Sequence, residues 1–234
     1  MSWQRDFGAE VDLSTPCCFP ELEVLAGSHV QLLPLQTDHA DQLFESVGGE
    51  HNAILYDYMP YGPFTDIQAF RDHISKLAGS KDPQFYAISE PSTGELLGHV
   101  SFLRMDVNNR VIEIGHVLYA SKLQRTIAAT ELQYLLASKA FGDGYRRLEW
   151  KCNSNNLASR RAALRLGYTF EGVFRQHMIV KGHNRDTAWY SITDAEWPLC
   201  KTALESWMEK TNFDQNGRQE KDLMALRSEM DGQA

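Results

Sequence analysis

The sequence is poor in cysteine: Cys17, Cys18, Cys152 and Cys200 are the only four among 234 residues, and no C-x-x-C pair occurs. Neighbours 17 and 18 cannot readily bridge to each other, so the thiols read as reduced and the chain as cytoplasmic. The eight histidines fall in no metal-ligand spacing, and no metal is expected. No apolar run approaches the length of a membrane span, and the opening MSWQRDFGAEVDLS has no signal-peptide core, so no membrane partner is expected. An excess of positive charge is also missing. Lys and Arg number 23 against 31 Asp and Glu, for a net charge of −8. A protein that grips nucleic acid by bulk charge should be basic, so a nucleic-acid partner is not expected. A local basic pocket for one small phosphate ligand stays open, and the acidic total mildly favours a cationic partner. Internal repeats and obvious linkers are lacking too.

What is present is a globular balance of 43% hydrophobic and 23% charged residues, enough for one sizeable core. Residues 1–28 read as a leader packing on the surface, broken by Pro16, Pro20 and Gly27. Residues 29–197 form the main domain, and 198–234 a C-terminal helix and polar tail, loose from Asn212 onward with one weak helix. Strand patterns lie at 29–35, 84–89, 96–104, 111–119, 147–151, 169–180 and 185–193. Helices are predicted at 38–46, 66–78, 127–141 and 156–166, with Asp66 and Asn156 as starts and Gly79 and Gly167 as stops. A last helix after Asp194 carries Trp197, Leu204 and Trp207. This is an α+β chain with a central mixed sheet. On the strand 111–119, plain alternation puts Glu113, Val117 and Tyr119 on one face and Ile112, Ile114 and Leu118 on the other, with His116 on the second face as a structural residue.

The chemically informative unit runs from 111 to 168: strand, basic turn, helix, strand, helix. The turn is Ser121-Lys-Leu-Gln-Arg-Thr-Ile-Ala-Ala-Thr130. Small residues at 126, 128 and 129 let backbone N–H groups at a helix start face a ligand, and such a terminus attracts phosphate. Lys122 and Arg125 add positive charge. An ordinary turn with solvated basic residues fits the same spacing.

Gln124-Arg125-Thr126-Ile127-Ala128-Ala129 resembles the Q/R-x-x-G-x-G/A pyrophosphate loop of the GNAT acetyltransferase superfamily. Asn156-Leu-Ala-Ser159 through Leu166-Gly167-Tyr168 resembles that superfamily's N-x-x-S … L-G-F segment. The blocks at 146–152, 171–177 and 181–189 are similar to its RimJ/RimL-like branch. The resemblance covers roughly 29–197. It implies a three-layer GNAT-like fold with a mostly antiparallel seven-stranded sheet flanked by helices, and acetyl-CoA as co-substrate. It implies pyrophosphate on the amides of 125–129, with Gln124 in the same loop. The pantetheine arm would pair with Val117-Leu118-Tyr119, a strand that splays from 147–151, and Asn156 and Ser159 would flank the arm and the sulfur. Arg160 reads as a contact to CoA phosphates or as part of a solvated helix face.

Three departures matter. Ile127 replaces the middle glycine of the loop, so its side chain must point away from the phosphates. Ala163 stands where many members carry a tyrosine acid. Met178, beside His177, stands where some RimL-like enzymes carry a glutamate. Acetyl transfer needs a neutral amine, donors for the developing oxyanion and a proton for the thiolate; a backbone N–H near Val117 or Leu118 suits the second role. Glu113 reads as general base, directly or through water, or as partner of a basic neighbour. His177 reads as base or as a hydrogen-bonded strand residue. Ser159 reads, by resemblance, as thiolate proton donor, or as a locally bonded serine. Tyr58, Tyr61, Arg175 and His177 are candidate acceptor contacts; the aromatic run Tyr56, Tyr58, Tyr61, Phe64 can cradle an acceptor or close one end of the core.

An α-ammonium, with a pKa near ~7.7–8.0, loses its proton far more readily than a lysine near ~10.4. Without a strong base an α-amine is the easier acceptor. The expected activity is therefore acetyl transfer from acetyl-CoA to a primary amine of a small molecule. The alternatives are a protein N-terminus of the ribosomal-protein type, or a non-catalytic acyl-CoA-binding module on the same fold. A homodimer through the C-terminal helix and Trp207 is the candidate assembly.

Overall fold

The structure, a computed structural model, describes residues 8–232; the first seven leader residues lie outside them. The chain lays down β1 (Leu25–Ala26), β2 (Gln31–Pro34), α1 (Ala40–Val47), α2 (Ile67–Ala78), β3 (Gln84–Ser89), β4 (Leu96–Asp106) and β5 (Val111–Tyr119). Then come α3 (Ile127–Gly142), β6 (Arg147–Asn153), α4 (Leu157–Leu166), β7 (Thr169–Val180), β8 (His183–Thr193), α5 (Trp197–Met208) and α6 (Leu223–Asp231). One sheet runs in the order β1-β2-β3-β4-β5-β6-β8-β7. Every neighbouring pair is antiparallel except β5 and β6. The α+β, mostly antiparallel expectation holds, with eight strands rather than seven. The extra one is Leu25–Ala26, at the end of the leader, paired with Leu32 and Gln31.

That leader end is fixed by one carboxylate. Glu131 on α3 accepts the backbone N–H groups of Ser28, His29 and Val30 at 2.9, 2.6 and 3.0 Å. Three donors that a turn would leave unmet are thereby satisfied by a buried side chain.

The sheet separates two cores. On one face Ile112, Ile114, Leu148 and Trp150 meet Leu132 and Leu136 of α3, Ala163 of α4 and Leu204 of α5. On the other, Phe85, Ala87 and Leu118 meet Leu43 of α1 and Phe70 and Ile74 of α2. Leu43, Phe70 and Ile74 are fully buried, each contributing roughly 1.5–3 kcal/mol. The second helical layer covers only this half of the sheet, and the face of β6 to β8 carries polar side chains instead.

Helix ends follow local chemistry. Asp66 accepts the Ala69 N–H at 2.8 Å, Thr126 that of Ala129 at 3.2 Å, and Asn156 that of Ser159 at 3.1 Å. Gly167 ends α4 at φ 107°. The predicted start at Asp38 differs: a 3-10 turn at Thr37–His39 precedes α1. The tail after Asn212 is not loose. Asn212 donates to the carbonyls of Trp207 and Lys221 and accepts the Lys221 N–H, and Leu223 of α6 is buried in the main core. Trp207 is 4% exposed, against Phe213, with its indole N–H donating to Gln219. The chain's own tail therefore covers Trp207, one of the residues expected at a dimer surface.

Candidate active site

The site begins where β5 and β6 part. They pair in parallel from Val111–Arg147 to Ile114–Trp150, and no further. Beyond that, Gly115–Tyr119 keeps β4 on one side and, among the described residues, has no strand on the other, while β6 continues against β8 to Asn153. A wedge-shaped cleft follows, with an unpaired backbone edge along it.

A bulge changes the geometry of that edge. Ser101 pairs with Gly115 and His99 with Leu118, so Val100 alone opposes both His116 and Val117; His116 has φ 50°. The extra residue reverses the alternation. Val117 and Tyr119 pack toward the α3 side, together with Ile112 and Ile114, while Leu118 joins the α1/α2 core. Glu113 therefore does not share a face with Val117 and Tyr119, as plain alternation requires. It lies with His116 on the opposite side. β4 comes close here because residue 98 is glycine: at φ 136°, an added Cβ would meet the Leu118 carbonyl oxygen at 2.0 Å.

Glu113 is held in an ion-pair network. It lies 3.1 Å from Lys151 Nζ and 3.6 Å from Arg104. Lys151 also meets Glu149 at 2.6 Å, and Arg147 links Glu149 (2.8 Å) to Glu171 (2.6 Å). The Lys151 ammonium sits 3.8 Å from the Trp189 ring centroid. Burial pushes the Glu113 carboxyl up, against the pull of Lys151 and Arg104.

At the helical edge, the Asn156 side chain is used as the α4 cap. Ser159, in the first turn, accepts the indole N–H of Trp150 at 2.9 Å. Arg160 turns to the Tyr190 hydroxyl (3.0 Å) and the Ser154 carbonyl (3.3 Å). Around the basic turn, Thr126 caps α3 and takes the Ala129 amide, so the amides of Ile127 and Ala128, with that of Thr126 itself, are left open at the helix start. Ile127 packs on the main core. Gln124 donates to the Tyr119 carbonyl at 3.2 Å. Lys122 is ion-paired with Glu95, whereas Arg125, at φ 63°, has no ion pair among the described residues. A concavity of about 360 Å³ lies beside this helix start, lined in part by Lys122, Thr126, Ile127 and Ala128.

The far wall is the β7–β8 hairpin. β7 bulges between the Phe174–Thr187 and Met178–Arg185 pairs, with Gln176 at φ 51°. His177 there has its Nδ1 2.9 Å from Thr187 Oγ1. Partial burial and then the charges of Arg104, Arg185 and Lys151 lower its pKa. Arg175 is exposed, and it lines an open concavity with His177. Two tethers bridge the opening: Lys181 Nζ donates to the Tyr56 carbonyl at 2.8 Å, and the Tyr58 hydroxyl to the Asn155 carbonyl at 3.1 Å.

The aromatic run divides its duties. Tyr56 is buried in the second core, and Tyr58 is 41% exposed. Tyr61 stacks on His116 (ring centroids 5.7 Å, 3° between planes) and contacts His73 and His99. Sequence reading missed this three-histidine cluster, because His73, His99 and His116 come from α2, β4 and β5. Desolvation lowers all three, His73 and His116 to about 4 and His99 to about 3. Arg185 was also missed; its position opposite Met178 depends on the bulge in β7. Among the described residues no group of side chains forms a metal site.

The chain matches the family model for the acetyltransferase (GNAT) domain over residues 29–169. It is 41% identical to a GCN5-related N-acetyltransferase from Brucella melitensis, whose crystal structure superimposes with a TM-score of 0.89 over 92% of this chain and 98% of that one. It is 37% identical over 82 residues to the ribosomal-protein-serine acetyltransferase of Escherichia coli K12, a match spanning 35% of this chain and 46% of that protein. Microcin C7 self-immunity acetyltransferase MccE, solved with acetyl-CoA and AMP, shares the fold at 24% identity and a TM-score of 0.63, over 71% of this chain and 93% of that one.

Proposed function

Because the chain belongs to the GNAT acetyltransferase family, we propose that it moves the acetyl group of acetyl-CoA to the primary amine of a small molecule, by direct attack while both are bound. The observation that carries this reading is the parting of β5 and β6 after Ile114 and Trp150. It leaves a backbone edge free to pair with an extended pantetheine arm. In this proposal the open amides of Ile127 and Ala128, with the Arg125 charge, receive the pyrophosphate. A backbone N–H at Val117 or Leu118 meets the oxyanion that forms as the amine attacks.

Two protons then need carriers. Ser159 accepts from Trp150 and stands beside the Cys152 thiol; its hydroxyl donates a hydrogen bond to the departing thiolate, which takes its proton from water and leaves as CoA thiol. With Nδ1–H donating to Thr187 Oγ1, His177 keeps the Nε2 lone pair for the amine proton, and its lowered pKa keeps it neutral. Glu113 serves as a fixed charge in this scheme, since Lys151 and Arg104 already share its carboxylate.

A small acceptor is favoured by the tethers at Lys181 and Tyr58, which bridge the opening that an extended peptide would need. The experiment is release of free CoA thiol from acetyl-CoA, measured with a panel of small amines and with peptides bearing free N-termini. Small-amine-dependent release is the expected result. Release with peptides alone would replace the small acceptor by a protein N-terminus.

A further inference from the structure

The polar network on the β6–β8 face is electrically closed. Arg104, Lys151 and Arg147 face Glu113, Glu149 and Glu171, three cations against three carboxylates joined by successive contacts. Arg185 stands outside it. The residue is half-buried on β8, its Nε is enclosed, and its side chain makes no hydrogen bond or ion pair among the described residues. It lies on β8 two residues from Thr187, on the same face, just past the point where the pairing with β6 ends at Asn153–Thr187, and Thr187 itself contacts His177 at 2.9 Å. The nearby carboxylate, Glu113, is already shared by two other cations. Lys181, at the tip of the same hairpin, likewise meets only a carbonyl. Asp186 is engaged by the Gln176 N–H and the Asn184 amide.

A guanidinium that is half-buried, and whose nearby carboxylate is shared with two other cations, gains when a ligand brings an anion of its own. We propose that the acceptor is an amine that also carries a carboxylate, an amino-acid-like compound, and that Arg185 binds that carboxylate. This rests on the acetyltransferase reading above. A planar guanidinium offers two parallel N–H donors to a carboxylate, fixing direction as well as charge. Held there, the carboxylate turns the neighbouring amine into the cleft between β5 and β6. A protein N-terminus has an uncharged amide at that place, so the same contact discriminates against it. The acidic total of the chain pointed to a cationic acceptor; the charge surplus around the cleft points the other way.

The test pairs free amino acids with their α-carboxamides, which differ at the carboxyl group and so in its charge. Acetyl-CoA turnover is measured for both series with the intact protein, R185Q and R185K. Binding of both series to the CoA-saturated protein is measured by calorimetry, which needs no turnover. Acids should exceed amides in kcat/KM by at least tenfold in the intact protein. R185Q should lose roughly 100-fold on acids and leave amides within about threefold, with R185K between. R185Q should keep its acetyl-CoA affinity within about twofold, which shows that it is folded. Equal use or equal binding of acids and amides overturns the inference, as does an R185Q loss shared by both series. If acetyl-CoA binds but neither series binds the CoA complex, the inference is likewise overturned while the donor assignment stands. Failure of the intact protein to bind acetyl-CoA removes the underlying reading itself.

Discussion

The indole N–H of Trp150 donates to Ser159 Oγ at 2.9 Å, joining β6 to the first turn of α4 at the edge of the cleft. A hydroxyl that accepts this bond keeps its own proton for a second partner, and the Cys152 thiol stands beside it. The Asn156 cap on the Ser159 amide fixes the same residue from its backbone side. Trp150 is therefore a positioning residue for Ser159.

W150F keeps an aromatic ring but removes the indole N–H together with the pyrrole half of a buried side chain, so its melting temperature is measured alongside. Its kcat should fall about tenfold, the equivalent of one hydrogen bond, with acetyl-CoA affinity within about twofold. S159A should fall further, by roughly 10²-fold. Steady-state kinetics on both variants checks this, and unchanged kcat in both would remove Ser159 from the chemistry.

In the proposed scheme His177 gives the rate its pH dependence. The neutral imidazole is the active form, and burial and the cations Arg104, Arg185 and Lys151 hold its pKa below the ordinary 6.5. The acid limb of kcat/KM should therefore lie below pH 6.5, and H177Q should abolish it. A profile with the same limb in H177Q assigns the base elsewhere.

The buried histidine cluster gives stability its own pH dependence. His99 is fully buried, and its pKa falls from 6.5 to about 3, by desolvation first and then by His116 and His73. The unfolded chain binds a proton that the folded chain refuses. The stability from His99 is therefore fully present above pH 6.5 and is lost as pH falls from there toward about 3. The loss runs at about 1.4 kcal/mol per pH unit. H99F should flatten the stability–pH curve by that slope in urea titrations between pH 6.5 and 4; an unchanged slope would contradict it.

Glu131 should be a stability residue. E131Q weakens three contacts to backbone N–H groups at once, and should cost about 2 kcal/mol. That is roughly 4–8 °C in melting temperature for a chain of this size. A shift of less than about 1 °C would show that the leader end is held by other contacts.

Much of the fold was legible because local signals agreed with it. Asp66 and Asn156 cap where they were expected to, and Gly167 stops α4 in the left-handed conformation. The failures share one cause. Alternation on β5 was read as unbroken, and the bulge at His116–Val117 reverses it, moving Glu113 to the face opposite Val117 and Tyr119. A register shift of this kind depends on the partner strand, here Val100 of β4, and leaves no local mark. The histidine cluster and Arg185 were missed likewise, since their neighbours come from separate elements. Lys122 looked free to meet a phosphate until Glu95, 27 residues away, was found paired with it.

The most direct test of the account is calorimetric titration of acetyl-CoA into the intact protein and into I127P. Proline is tolerated at the first position of a helix and removes the amide donor there, together with the Ile127 packing on the main core; Thr126 before it is already extended, at φ −102° and ψ 167°. Saturable binding to the intact protein, weakened at least about tenfold in a folded I127P, is the predicted result. Absence of binding by the intact, folded protein, or equal binding by both, would contradict the donor site at the start of α3.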